Sequence, residues 1–480
     1  MVETVPPGDL SPAADLPGPL SDRTGGRSRG VSRLVRVVLL LLVLSVPAAP
    51  PLSRALLGGH GPAGSPDGSA PAGGSAGGSG EQDAAPALGP GVAATAVPAV
   101  LALLQDRAAA VTRRDRTAWL AVIDPAARST TADQDAAIGR ILALPVTRWR
   151  YRLLALALAP ARPAAGGTAL TARVQLIYRL AGDTRDVLRE RELTLVAGRS
   201  GALLEAETAA ATDRDLWDLG PLTVVQGSRG SAVVLGGDPE AARALAALVA
   251  ESAAGVDAVW GTSWPRSVVV VLPADRSGMA ALLGGADPSG LDRLAAVTSG
   301  MLDRGSTRSH ALAAADRVVL NPQSWPQLTP VGRRVVLTHE LTHVATRATT
   351  AATPPLWLDE GFAQYVGYRD SGLPAVTVAA DAVDLVRRTG QVPDALPTAD
   401  AFDPARGGSQ AAYAQAWVAC DLVARRAGPS GLARLYREAA SADGGQAQAD
   451  VALREVLGED RQTFLGQWQA ALRTLAGAGG

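Results

Sequence analysis

Two histidines flank a glutamate in the run Val335-Val336-Leu337-Thr338-His339-Glu340-Leu341-Thr342-His343-Val344-Ala345. Apolar residues at 336, 337, 341, 344 and 345 give this run a helical period with one buried face. On a helix, positions i and i+4 lie one above the other. His339 and His343 can therefore reach one zinc ion, each through a ring nitrogen at about 2.0–2.1 Å. Glu340 points about 100° further around the helix, beside the metal and not onto it. From there its carboxylate can accept a proton from a water at the metal, as a general base does.

A catalytic zinc needs a third protein ligand and an open position. In the metzincin pattern, Gly and His follow the second histidine by about three and six residues. Those positions hold Thr346 and Thr349, so the pattern is excluded. In the gluzincin pattern the third ligand is a glutamate on a following helix. Downstream stands Pro354-Pro355-Leu356-Trp357-Leu358-Asp359-Glu360-Gly361-Phe362-Ala363. The two prolines close one element and Trp357 begins another, which lets Glu360 face back onto the first helix.

His-Glu-Leu-Thr-His followed by Trp-Leu-Asp-Glu-Gly-Phe-Ala resembles the gluzincin metallopeptidases, in particular the peptidase-MA-like group related to M1 aminopeptidases. The resemblance covers roughly residues 222–472, with its specific motifs confined to 317–366. It implies that His339, His343 and Glu360 hold Zn2+ and that Glu340 is the general base and acid. It also implies a tyrosine that stabilises an oxyanion, and Tyr413 in Ala412-Tyr413-Ala414-Gln415-Ala416-Trp417 matches that setting. Gly428-Pro429-Ser430-Gly431-Leu432 fits the closing helices of such proteins. Two departures stand out. The Gly-x-Met-Glu-Asn segment that anchors a free substrate amine is missing, so nothing supports aminopeptidase specificity. Gln364 occupies the turn after Glu360, where thermolysin-like relatives carry an aspartate that orients a ligand histidine. The partner of the ligand histidines' second nitrogens stays open at this point.

Elements that position these residues can be read outwards from the motif. From Val331 the chain is mostly helical to its end. Before it, Ser267–Leu272 reads as a buried strand and Arg317–Leu320 as another short one, a candidate edge strand for pairing with an extended substrate. Leu222–Gln226 and Ala232–Leu235 flank Gly-Ser-Arg-Gly as a hairpin. Asp238-Pro239-Glu240 starts a helix that runs to about Ala253, with Asp238 as N-cap. Further upstream, Val97–Ile123 and Asp135–Leu144 read as helices. Leu170, Ala172, Val174, Leu176, Tyr178 and Leu180 alternate with polar residues as a half-buried strand, with Val187–Val196 and Ala202–Thr208 as antiparallel neighbours.

The N-terminal region has another character. Residues 1–36 are rich in Pro, Gly and charge and read as a disordered cytoplasmic segment. Arg23, Arg27, Arg29, Arg33 and Arg36 lead into the apolar run Val37–Val46. A basic flank before about 7–15 apolar residues fits a signal peptide, while an uncleaved anchor and a buried helix are the alternatives. The positive flank would keep residues 1–36 inside and the rest outside the membrane. Residues 53–92 are a Gly/Ser/Pro/Ala-rich linker.

Net charge is -1 over 480 residues, so nothing points to nucleic acid. The single cysteine, Cys420, excludes an intrachain disulfide and a cysteine zinc site, and its apolar surroundings mark it as a core residue. His60 in the linker and His310 in a polar turn carry no chemistry in this reading.

The expected organisation is multidomain α+β. A signal or anchor (37–52) and the linker precede an NTF2-like, cone-shaped α+β domain (93–215). A mostly helical gluzincin domain with a small sheet (216–475) completes it. The expected activity is zinc-dependent hydrolysis of a peptide or protein substrate outside the membrane, with the oligomeric state open. The alternatives are a membrane-anchored binding or assembly protein with a non-catalytic zincin scaffold, and a hydrolase of another amide or ester.

Overall fold

The computed structural model describes residues 85–160, 167–198, 201–265, 267–285, 295–300, 315–402, 410–441 and 444–477. Val37–Val46, His60 and His310 lie outside these residues.

The first unit opens with helices α1 (Ala96–Thr112), α2 (Arg116–Ala121) and α3 (Arg128–Ala143). The single helix expected over 97–123 is therefore two. Arg114 takes a left-handed φ of 57°, and Asp115 caps the next helix by accepting from the Ala118 N–H. The second expected helix begins earlier than Asp135, at Arg128. A five-stranded sheet follows in the order β1-β2-β3-β4-β5, comprising Ala87–Leu88, Val146–Leu158, Thr168–Leu180, Val187–Gly198 and Gly201–Thr208. Strands β2 to β5 pair antiparallel. The alternation from Leu170 to Leu180 forms a strand as read; β2 was not foreseen.

The second unit holds a five-stranded sheet in the order β6-β7-β8-β10-β9. Its strands are β6 (Leu222–Gly227), β7 (Gly230–Leu235), β8 (Val268–Leu272), β9 (Ala296–Gly300) and β10 (Asp316–Leu320). Strand β10 lies inside the sheet, parallel to β8 and antiparallel to β9. It is not the edge strand that the sequence suggested: both its sides are already hydrogen-bonded, and β9 forms the edge. Helix α4 (Pro239–Trp260) begins as expected, with Asp238 accepting from the N–H groups of Glu240 and Ala241, and runs past Ala253.

This sheet is buried on both faces, which is why β8 reads as the unbroken run Val-Val-Val-Val-Leu. Ala232, Val234, Val268, Val270, Ala296 and Val318 face helix α4 and the helices that follow. Val233, Val269, Val271, Val297 and Val319 face the first unit, where Trp149, Tyr178 and Trp217 pack against them. Trp217 has its ring 5.0 Å from both Trp149 and Tyr178. Arg317 on β10 pairs with Asp183 from the first unit, with Nη2 2.8 Å from Oδ2. The two units thus share one apolar core and a buried ion pair.

Among the described residues, the longer helices that follow are α5 (Pro330–Thr349), α6 (Leu356–Tyr368), α7 (Ala380–Thr389), α8 (Gln410–Ala439, kinked at Gly428-Pro429), α9 (Gly445–Leu457) and α10 (Arg461–Gly477), with short helical turns at Arg276–Leu282, Ala375–Val378 and Ala399–Phe402. Among the described residues, no helix is long and apolar enough to cross a membrane.

Candidate metal centre

Helix α5 starts at a defined point. Thr329 caps it by accepting from the Gly332 N–H, and Pro330 occupies the first turn. From Val335 to Thr346 every residue is buried, so the helix passes through the core and its polar side chains need partners inside the protein. Helix α6 begins directly after Pro354-Pro355 and is buried from Trp357 to Tyr368.

Two glycines let α6 lie deep between its neighbours. A Cβ on Gly367 would come within 2.9 Å of the Val335 carbonyl oxygen on α5. A Cβ on Gly361 would come within 2.4 Å of the Ala416 carbonyl oxygen on α8 and 2.8 Å of Cys420 Sγ. Small residues on both sides bring Glu360 down onto the histidine face of α5.

Three side chains converge there. Nε2 of His339 and Nε2 of His343 are 3.1 Å apart. Oε2 of Glu360 lies 3.4 Å from the first and 3.6 Å from the second. A tetrahedral ion with donors at 2.0–2.1 Å sets those donors about 3.3–3.4 Å from one another, and the three observed edges bracket that spacing. Glu360 Oε2 is buried and makes no protein hydrogen bond. Two imidazoles and a carboxylate suit zinc, so the donor set fits the ion.

Surrounding charges act on the same atoms. Burial disfavours a charged imidazole at His343, but Asp359 and Glu360 outweigh it and raise the pKa to about 10. Burial likewise opposes the Asp359 carboxylate, yet His343, Tyr436 and Arg347 lower its pKa to about 2. Glu360 is lowered in the same manner, against burial, by His343 and His339.

The second nitrogen of His343 faces Asp359, with Nδ1 3.5 Å from Oδ1. The same oxygen accepts from the Tyr436 hydroxyl at 2.6 Å. Asp359, not Gln364, is therefore the group beside this histidine. Gln364 is buried one turn after Glu360, and its amide oxygen and nitrogen make no protein hydrogen bond.

Glu340 is fully buried, and its Oε2 accepts from the Thr298 hydroxyl at 2.6 Å. Tyr413 is buried on α8 with its ring 5.0 Å from Phe402. Trp357 packs on Phe464 at 6.1 Å and donates to Gln446 at 3.2 Å, so it supports the helix. Cys420 is buried against Gly361.

Sequence reasoning passed over Asp359, Tyr436 and Thr298. Asp359 stood within the quoted motif, and its place next to Glu360 was a usable signal. Tyr436 and Thr298 come from distant parts of the chain and gave none.

No protein-family model matches the chain, and no curated protein matches its sequence. Among solved structures, it is similar to a two-domain M1 zinc metallopeptidase mutant bound to L-arginine. That likeness has 13% identity and a TM-score of 0.31, over 69% of this chain and 64% of that one. A mutant M1 zinc metallopeptidase from Deinococcus radiodurans gives 14% identity and a TM-score of 0.32, over 68% of this chain and 65% of that one. The chain thus spans a little under two-thirds of the length of either relative. The likeness is distant.

Proposed function

We propose that the protein is a zinc-dependent peptidase. The observation that carries this reading is the buried triangle of His339, His343 and Glu360, with Glu340 next to its first member in the chain. The three residues of the triangle hold the ion. Zinc bound there supplies Lewis acidity to a carbonyl and acidifies a water. Glu340 takes a proton from the attacking water as the water oxygen adds to the peptide carbonyl carbon. It then returns the proton to the amine nitrogen as the carbon–nitrogen bond breaks. Tyr413 donates its hydroxyl to the oxyanion; its sequence setting and its place on α8, the helix packed on α6, support that role. The substrate is a peptide or protein.

The proposed organisation keeps residues 93–215 as an NTF2-like domain. Helices α1 to α3 followed by a largely antiparallel sheet support it. Residues 37–52 serve as a signal or anchor, with 53–92 as linker, and the zinc domain works outside the membrane. The arginine flank and the apolar run support that placement. A non-catalytic scaffold would need the metal ligands but not the base, and Glu340 is present.

The test is metal content and peptide hydrolysis of the full chain beside three variants. His343→Ala and Glu360→Ala should lose zinc. Glu340→Gln should keep about one zinc per chain and lose about 10²–10⁴ in kcat. Full activity in Glu340→Gln would sink the mechanism, and a native chain that takes up no zinc would sink the enzyme.

A further inference from the structure

Among the described side chains of strand β9, Thr298 is the polar one that meets helix α5. The strand alternates: Val297 joins the core shared with the first unit, while Ala296 packs with the helices. Thr298 therefore points toward α5, and it is 1% exposed. Its Oγ1 lies 2.6 Å from Glu340 Oε2 and 3.2 Å from the Glu340 carbonyl oxygen. A hydroxyl has one hydrogen to give, and the shorter, charge-assisted contact to the carboxylate takes it.

The other carboxylate oxygen, Oε1, is buried and makes no protein hydrogen bond. One oxygen is thus tied while the other is left open. The tie is itself anchored. Arg347, one turn beyond His343, has Nη1 3.4 Å from the Thr298 carbonyl oxygen and 3.6 Å from Asp316 Oδ1 on β10. The arginine fastens the edge strand to the helix that carries Glu340.

The geometry points to Thr298 as a positioning residue for Glu340, holding Oε2 so that Oε1 faces the reacting water. This rests on the peptidase reading above. A glutamate side chain is long and loses much rotamer freedom when fixed. A base must also stand within hydrogen-bond reach of the proton it removes. The Thr298 hydroxyl supplies that restraint from a separate element.

Thr298→Val removes the hydroxyl at nearly constant shape, and Thr298→Ser keeps it. In Thr298→Val, kcat should fall about ten- to a hundredfold with KM within about twofold, and zinc content should stay unchanged. Thr298→Ser should recover kcat to within about threefold of the native protein. Crystal structures of the zinc-loaded proteins give a readout that does not depend on activity: the Glu340 carboxylate should leave its place in Thr298→Val and keep it in Thr298→Ser. A carboxylate unmoved in Thr298→Val, or equal impairment of both variants, overturns the assignment. If the native protein cleaves no peptide while Glu340 still moves in Thr298→Val, the positioning stands and the peptidase reading falls.

Discussion

Asp359 and Glu360 are adjacent in sequence yet serve the two ring nitrogens of one histidine: Asp359 Oδ1 is 3.5 Å from His343 Nδ1, and Glu360 Oε2 is 3.6 Å from Nε2. A carboxylate on the far nitrogen fixes ring orientation and raises ligand basicity. The Tyr436 hydroxyl, 2.6 Å from the same Asp359 oxygen, holds that carboxylate in turn.

In the proposed zinc site, removing this support should weaken metal binding while leaving all three donors in place. Asp359→Asn is expected to lower zinc affinity about 10- to 100-fold, with Tyr436→Phe giving a smaller loss in the same direction. Competition against a chelator of known affinity measures both. Native affinity in Asp359→Asn would show that the contact does not tune the site.

The pH dependence follows from His343. Its pKa is raised from 6.5 to about 10, so the metal-free protein carries this imidazole protonated at neutral pH. Zinc needs the neutral ring, and binding at pH 7 should therefore release a proton. Affinity should rise about tenfold per pH unit between pH 6 and 9 if this single proton dominates. The metal-free fold shows the opposite trend. Its pKa lies above the unfolded value, so this stabilisation is complete below about pH 6.5 and is lost as pH rises toward about 10. Calorimetry in buffers of different ionisation enthalpy counts the proton; a count near zero at pH 7 contradicts the charge assignment.

Gly361 predicts a conflict between local and tertiary preference. Alanine favours a helix over glycine by about 1 kcal/mol. Its Cβ, however, would press within 2.4 Å of the Ala416 carbonyl oxygen, which cannot swing aside as a side-chain end can. Gly361→Ala should destabilise the protein by about 1–3 kcal/mol and loosen zinc, because the displaced helix carries Glu360. Thermal unfolding with and without zinc tests this; a more stable variant would mean that the helices part easily.

The grouping of the candidate site was legible in the sequence where its residues are local. His339, Glu340 and His343 sit within one helical turn and a third, so spacing alone places them. Glu360 could be read because Pro354 and Pro355 fix where the next helix starts. The hairpin around Gly-Ser-Arg-Gly and the cap at Asp238 depend on neighbours and appeared as expected. Other features depend on tertiary pairing. Arg317–Leu320 has the composition of a strand but nothing in it tells an edge from an interior position, and the pairing of β9 with it decided the matter. The break at Arg114 was passed over because Ala118 and Trp119 fall two helical turns after Val111, although residues 112–117 between them are all polar. Thr298 reaches Glu340 across 42 residues, and Tyr436 reaches Asp359 across 77. No local pattern announces such contacts.

The lone thiol of Cys420 lies under Gly361, and burial pushes its pKa well above the ordinary range. It is therefore shielded twice over, by access and by protonation. A chain with one sulfhydryl in that place carries its own clock: each modification by a soluble thiol reagent records an opening of the packing around it, of which the helix of Glu360 forms one wall. An ion that ties Glu360 to His339 and His343 would make that clock run slower.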